Sequence, residues 1–180
     1  MAQIETYGKV DKALHWFVVL NLGATLVFSK GMSDLSAAER AVAYSDHGLS
    51  VTTLFLVMLF RLVWRVRHGF PPLPDSMSTF QQMVAKLVHK AIYVLIFAQI
   101  AVGFFLASTV DVDMVPKFYG VNYTAFGLVG PEMNETLLGV HKLIYWSIVA
   151  VIGLHVAAAL KHAVIDRDGV LRRMLPFTGS

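Results

Sequence analysis

The chain has 180 residues, no cysteine, a formal net charge of +3 and 56% hydrophobic residues, with a mean hydropathy of +0.61. So few charges do not cover a water-facing domain of this length, and the composition points to lipid as the solvent. The missing cysteines exclude disulfides, thiolate metal ligands and covalent CxxCH haem attachment.

Four apolar windows, near 13–29, 47–66, 84–107 and 139–160, are each long enough to cross a hydrocarbon core of about 30 Å. Only helices and closed barrels satisfy every backbone group in lipid, and the alternation of barrel strands is absent. The expectation is an all-α membrane protein, a four-transmembrane-helix bundle forming a single domain over 1–180. The first window lacks a clear small-residue cleavage site and carries His15-Trp16 at its edge, so it is expected to be retained rather than removed as a signal peptide. The segment 67–79, "RHGFPPLPDSMST", reads as a Pro-rich loop with a solvated His68. The longer 108–138 stretch is rich in Gly, Pro, Asn and acids and is expected to include a short surface element.

Eleven of the fifteen lysines and arginines fall on one side: Lys9 and Lys12 in the N-terminal arm, five from Arg61 to Lys90, and four from Lys161 to Arg173. The other side holds Lys30, Arg40, Lys117 and Lys142 among seven acids from Asp34 to Glu135. The positive-inside rule places both termini in the cytoplasm. Charges split between flanks and tail argue against a nucleic-acid patch.

The stretch "GVHKLIYWSIVAVIGLHVAAALKH" puts His141, His155 and His162 into one of the most apolar parts of the chain. An imidazole there needs a partner. By depth, His47 and His141 both lie near the outer ends of their helices, and His15 and His155 near the inner ends. Fourteen residues separate His141 from His155, which returns to within roughly 40° of the same helix face after a rise of about 21 Å. One helix thus offers ligands to two stacked cofactors. Two imidazoles per metal and no sulfur suit a non-covalent, bis-histidine b-type haem, whereas zinc prefers three or four ligands around one point. Arg61, fourteen residues after His47, lies on that helix face at the inner level, where it either pairs with a haem propionate or snorkels with Arg65. Gly23, Gly103 and Gly153 either admit a flat macrocycle or serve helix packing.

The segments "ALHWFVVL", "LFRLVWR", "LVHKAIYVLIF", "GVHKLIYW" and "GLHVAAALKHAVIDRDGVLRRMLP" resemble the bacterial di-haem cytochrome b561 family, itself related to the cytochrome b subunits of hydrogenase and formate dehydrogenase. The resemblance runs from about residue 7 to 176. It implies a multi-pass protein of the bacterial inner membrane with two haems b, His15 and His155 on the inner one and His47 and His141 on the outer one. It also implies that His89 and His162 are polar groups near the inner haem, where a quinone headgroup docks. Members of the family include a superoxide oxidase that passes electrons to ubiquinone.

The function expected on these grounds is an oxidoreductase relaying electrons between a periplasmic donor, such as superoxide, and the ubiquinone pool, in contact with membrane lipid and with no nucleic acid. His162 falls seven residues beyond His155 on the same face, about 10 Å further along the axis, and a histidine supplies the donor and protons a quinone needs; Lys161 and Lys90 are alternatives. An anion at the outer face needs a cation beside the haem edge, for which Lys117 and Lys142 are the candidates. Two other readings are an electron-transfer subunit for a periplasmic redox protein and a His-lined metal transporter.

Overall fold

In the computed structural model, which describes residues 6–69, 71–74, 77–116 and 120–178, four long helices follow one another: α1 (Lys9–Phe28), α2 (Ala37–His68), α3 (Thr79–Ala107) and α4 (Asn134–Lys161). Each belongs to a segment long and apolar enough to cross a membrane. Large side chains such as Leu20, Phe28, Val66, Leu143 and Trp146 point outward, which costs nothing where lipid replaces water.

All four helices begin ahead of their apolar windows and α2 also runs past the end of its own; at α2 and α3 caps rather than hydropathy set the start. α2 starts at Ala37, not near 47: Ser36 N–H and Oγ–H donate to Glu39 Oε2 at 3.1 and 2.6 Å, part of a capping box. At the start of α3, Ser78 N–H donates to Gln81 Oε1 at 2.8 Å and Gln81 N–H donates to Ser78 Oγ at 3.3 Å. His68 is consequently the last residue of α2, stacked on Trp64 with ring centroids 3.8 Å apart, and not a loop histidine.

α1 packs on α2, and α3 packs on α4. The helices meet over an apolar core of Val18 and Leu22 from α1, Leu54 and Met58 from α2, and Ile96 from α3, with Phe97 and Ile152 against it. Lipid tails are as apolar as these side chains, so helix association depends on close packing and on polar ties worth about 0.6 kcal/mol each. Thr25 Oγ1 lies 2.7 Å from Ser50 Oγ, joining α1 to α2, and Tyr145 OH donates to Leu26 O at 3.2 Å, joining α4 to α1.

The two ends of the bundle are closed differently. At the loop end, the expected surface element consists of two 3-10 turns, Thr124–Phe126 and Pro131–Met133. The segment before them folds back onto α2: Val115 N–H donates to Ser45 Oγ at 3.0 Å, and Tyr123 OH lies 2.7 Å from Thr52 Oγ1. Gly48 is needed for this approach, because a Cβ there would stand 2.6 Å from Met114 Cε and 3.0 Å from Pro116 Cγ. At the terminal end, Lys12 Nζ donates to Thr178 O at 2.7 Å, Trp16 Nε1 to Met174 O at 2.9 Å and Arg173 to Pro72 O at 2.8 Å. Arg65 pairs with Asp11 at 3.3 Å and lies over the Tyr7 ring. Lys12, Arg65 and Arg173 are therefore buried clasps, and Arg65 does not reach outward to headgroups.

Candidate functional site

Near the terminal end three imidazoles converge. His15 on α1 and His155 on α4 have ring centroids 6.4 Å apart with planes at 72°. His89 on α3 stands edge-on to His155 at 5.0 Å, with its Nδ1 2.7 Å from the carbonyl oxygen of Ala85 in its own helix. Arg61 joins them: it donates to His15 Nδ1 at 3.3 Å, and its guanidinium lies 5.9 Å from the centre of the Tyr93 ring. Arg61 Nε and Tyr93 OH are sealed from solvent without a hydrogen-bond partner among the described residues. The sequence-derived pair His15 and His155 is thus brought together, with Arg61 at the same level. The contact of His89 with His155 was not readable from spacing, because nothing in the α3 sequence says which of its faces meets α4.

Near the loop end, His47 on α2 and His141 on α4 line one cavity of about 1000 Å³, walled by Leu26, Leu54, Phe97 and Phe104. That is at the upper end of the range for cofactor sites, about 300–1000 Å³. Gly103 lets the His141 ring lie on the α3 backbone, since a Cβ would come within 3.1 Å of its Cε1. A Cβ on Gly23 or Gly153 would meet nothing within 4 Å, so these two do not serve helix packing. His141 Nδ1 and Gln99 Oε1 are buried without a hydrogen-bond partner among the described residues. Among the described residues, the charged groups lining the cavity are Lys30, Arg40, Lys142 and Asp111, with Arg40 and Asp111 paired at 2.6 Å. Lys142 is therefore at the cavity wall; Lys117 lies outside the described residues.

Between the two levels sit Leu54, Met58, Ile96 and Ile148, each no more than 3% exposed. This apolar layer occupies the rise of about 21 Å that fourteen helical residues span.

His162 is in neither group, and no ring contact or hydrogen bond joins it to His89. It opens a π turn, His162–Asp166, at the end of α4, and its Nδ1 lies 2.6 Å from Asp168 Oδ2 and 3.3 Å from Asp166 Oδ2. Lys161, the alternative donor, is engaged with Asp166 at 2.5 Å. The two aspartates were missed in the sequence. Their signal was the polar run "DRDG" directly after an apolar helix that ends in histidine.

Comparisons with known proteins place the chain in a family. The prokaryotic cytochrome b561 family matches residues 6–177. Cytochrome b561 homolog 2 of Escherichia coli (strain K12) is 31% identical, with 95% of this chain and 92% of that protein covered. Cytochrome b561 homolog 1 of the same organism is 23% identical over 94% and 97%. A Yersinia pestis protein named "Probable superoxide oxidase CybB" is 28% identical over 94% and 96%.

This family implies binding of haem b, and the donor set present fits it. Two imidazoles bonded to one metal from opposite sides, at about 2 Å each and about 1 Å more to each ring centre, have centroids about 6 Å apart. His15 and His155 meet that spacing; His89, at 5.0 Å from His155, is too close to be its opposite partner. At the loop end, His141 Nδ1 is unpartnered among the described residues beside the cavity. With nearly the whole chain matched and the histidines so placed, this is a membrane electron-transfer protein of the prokaryotic cytochrome b561 family.

Proposed function

We propose that the chain holds two haems b, through His15 and His155 at the terminal end and His47 and His141 at the loop end, and relays electrons from an anionic periplasmic donor to a membrane quinone. The observation that carries the reading is the pair of histidine levels separated by an apolar layer. When bound, each haem supplies one-electron redox chemistry. The chain's own residues do the rest. The four histidines hold and orient the groups, and Leu54, Met58 and Ile96 keep water out of the space between them. Arg61 balances propionate charge at the terminal level.

Both termini are assigned to the cytoplasm of a bacterial inner-membrane protein, which puts the large cavity on the periplasmic side. Superoxide is the donor favoured, on two grounds. One relative carries the name "Probable superoxide oxidase CybB", and among the described residues the cavity wall holds three cations against one carboxylate although the outer segments as a whole are acidic. Such a local field draws in a small anion. Each superoxide loses one electron and becomes O₂; two such electrons and two protons turn a quinone into a quinol. Quinone is assigned to the terminal end, with His162 as its hydrogen-bond donor.

Stopped-flow mixing of the purified holoprotein with superoxide tests the reading. Rapid appearance of reduced b-type bands, followed by reoxidation when ubiquinone is added, is the expected result. Haems that dithionite reduces but superoxide does not would leave an electron-transfer subunit for a periplasmic redox protein. A spectrum without b-type bands would leave a haem-free carrier.

A further inference from the structure

At Lys161 the regular hydrogen bonding of α4 stops, and the next five residues form a π turn, a feature found frequently at functional sites. Arg167, at φ 51°, and Gly169, at φ 79°, then reverse the chain. A left-handed conformation at a non-glycine residue persists only where its surroundings hold it. The product of this reversal is Asp168 lying back over His162, with side chains 7% and 10% exposed.

We infer that Asp168 is a positioning residue that fixes the ring and tautomer of His162, so that His162 Nε2 is the atom presented to a quinone oxygen. The inference rests on the quinone reading above. A carboxylate only accepts, so at 2.6 Å it is His162 Nδ1 that carries the proton. Asp168 is itself held, because its Oδ1 accepts the Val170 N–H at 3.1 Å. Asp166 is the lesser partner: it is farther from Nδ1, more exposed, and occupied by Lys161. The donor atoms of His162, Asp166 and Asp168 lie within 4.8 Å of one another. With Nδ1 already bonded to Asp168 and Asp166 bound by a lysine, the arrangement serves a proton rather than a metal ion.

With Nδ1 occupied, Nε2 is the one polar atom left on the ring, and it makes no hydrogen bond among the described residues. An imidazole backed by a buried carboxylate keeps one tautomer and tolerates a positive charge, which is what a proton donor to a reduced quinone needs. In the overall step the quinone gains two electrons by way of the haems and two protons. In one of these transfers Nε2 of the Nδ1–H ring takes a proton from water, and the resulting imidazolium, its charge balanced by Asp168, donates Nε2–H to a quinone oxygen, passes that proton to it and returns to the Nδ1–H form.

The test compares Asp168→Asn, Asp166→Asn, Asp168→Glu and His162→Ala in the holoprotein, with reoxidation by ubiquinone-1 followed against concentration and pH. Asp168→Asn is expected to keep both haems and their reduction by superoxide. Its maximal reoxidation rate should fall at least about tenfold, with a change under about threefold in the half-saturating ubiquinone-1 concentration. Asp166→Asn should stay within about twofold of the unmodified protein, and Asp168→Glu should recover part of the loss. Unchanged reoxidation in Asp168→Asn beside a slow His162→Ala would overturn the role of Asp168 and leave the quinone site standing. Unchanged reoxidation in both would remove the quinone site from this end, and the inference with it. Nitrogen-15 NMR of the histidine-labelled holoprotein reads the tautomer without relying on any aspartate variant. A His162 signal, assigned by its loss in His162→Ala, must show Nδ1–H; the Nε2–H form would overturn the inference.

Discussion

His15 on α1 and His155 on α4 face each other with ring centroids 6.4 Å apart, while His89 stands 5.0 Å from His155. The first spacing accommodates a metal between two imidazoles and the second does not. The purified protein is accordingly expected to contain two haems per chain by pyridine haemochrome assay. His47→Ala and His15→Ala should each retain one, and His89→Ala both. A ratio near one in the unmodified protein, or loss of haem in His89→Ala, would contradict the assignment.

The eleven-to-four division of lysines and arginines predicts the sidedness. Alkaline phosphatase fused after residue 180 should be inactive in cells, and the same enzyme inserted near residue 130 should be active. The reverse pattern would place the large cavity on the cytoplasmic side.

Arg40 and Asp111 neutralise each other at the cavity wall. Removing the carboxylate leaves the guanidinium free to attract an anion. Asp111→Asn should raise the bimolecular rate of haem reduction by superoxide about two- to fivefold at low salt, and Arg40→Ala should lower it by a similar factor. Both differences should shrink at an ionic strength of about 0.5 M. Rates that ignore both substitutions would mean that the donor approaches elsewhere.

Asp11 faces Arg65 at 3.3 Å with side chains 15% and 5% exposed. Removing the carboxylate charge leaves a buried guanidinium with less compensation, which costs up to about 3 kcal/mol. Thermal unfolding of Asp11→Asn in detergent should occur several degrees below that of the unmodified protein. Asp11→Leu combined with Arg65→Met should recover part of the loss. A melting point unchanged in Asp11→Asn would show that the remaining contacts of Arg65, the Tyr7 ring among them, satisfy it.

Much of the bundle was readable because hydropathy and helical periodicity are local. The four spans, the step from His141 to His155 and the level of Arg61 all follow from residues on a single helix. The start of α2 was also in the sequence, as Ser36 and Glu39, but an apolar window hides a polar capping box. Three things were not readable. The approach of His89 to His155 depends on the rotation of α3, the packing of Met114 on Gly48 depends on a loop reversing, and the Asp168 contact depends on left-handed residues after a π turn. Each is set by tertiary packing, on which spacing along the chain is silent.

Lys12 lies in α1, which is made before the other three helices, yet its ammonium finds its acceptor at Thr178, 166 residues later. Trp16 likewise waits for Met174, 158 residues later. α1 therefore carries a cation and an indole N–H whose acceptors, among the described residues, lie beyond α4. Until residues 174–178 are laid across α1, these two donors lack the acceptors they have in the folded bundle, so that end closes only once the chain beyond α4 is in place.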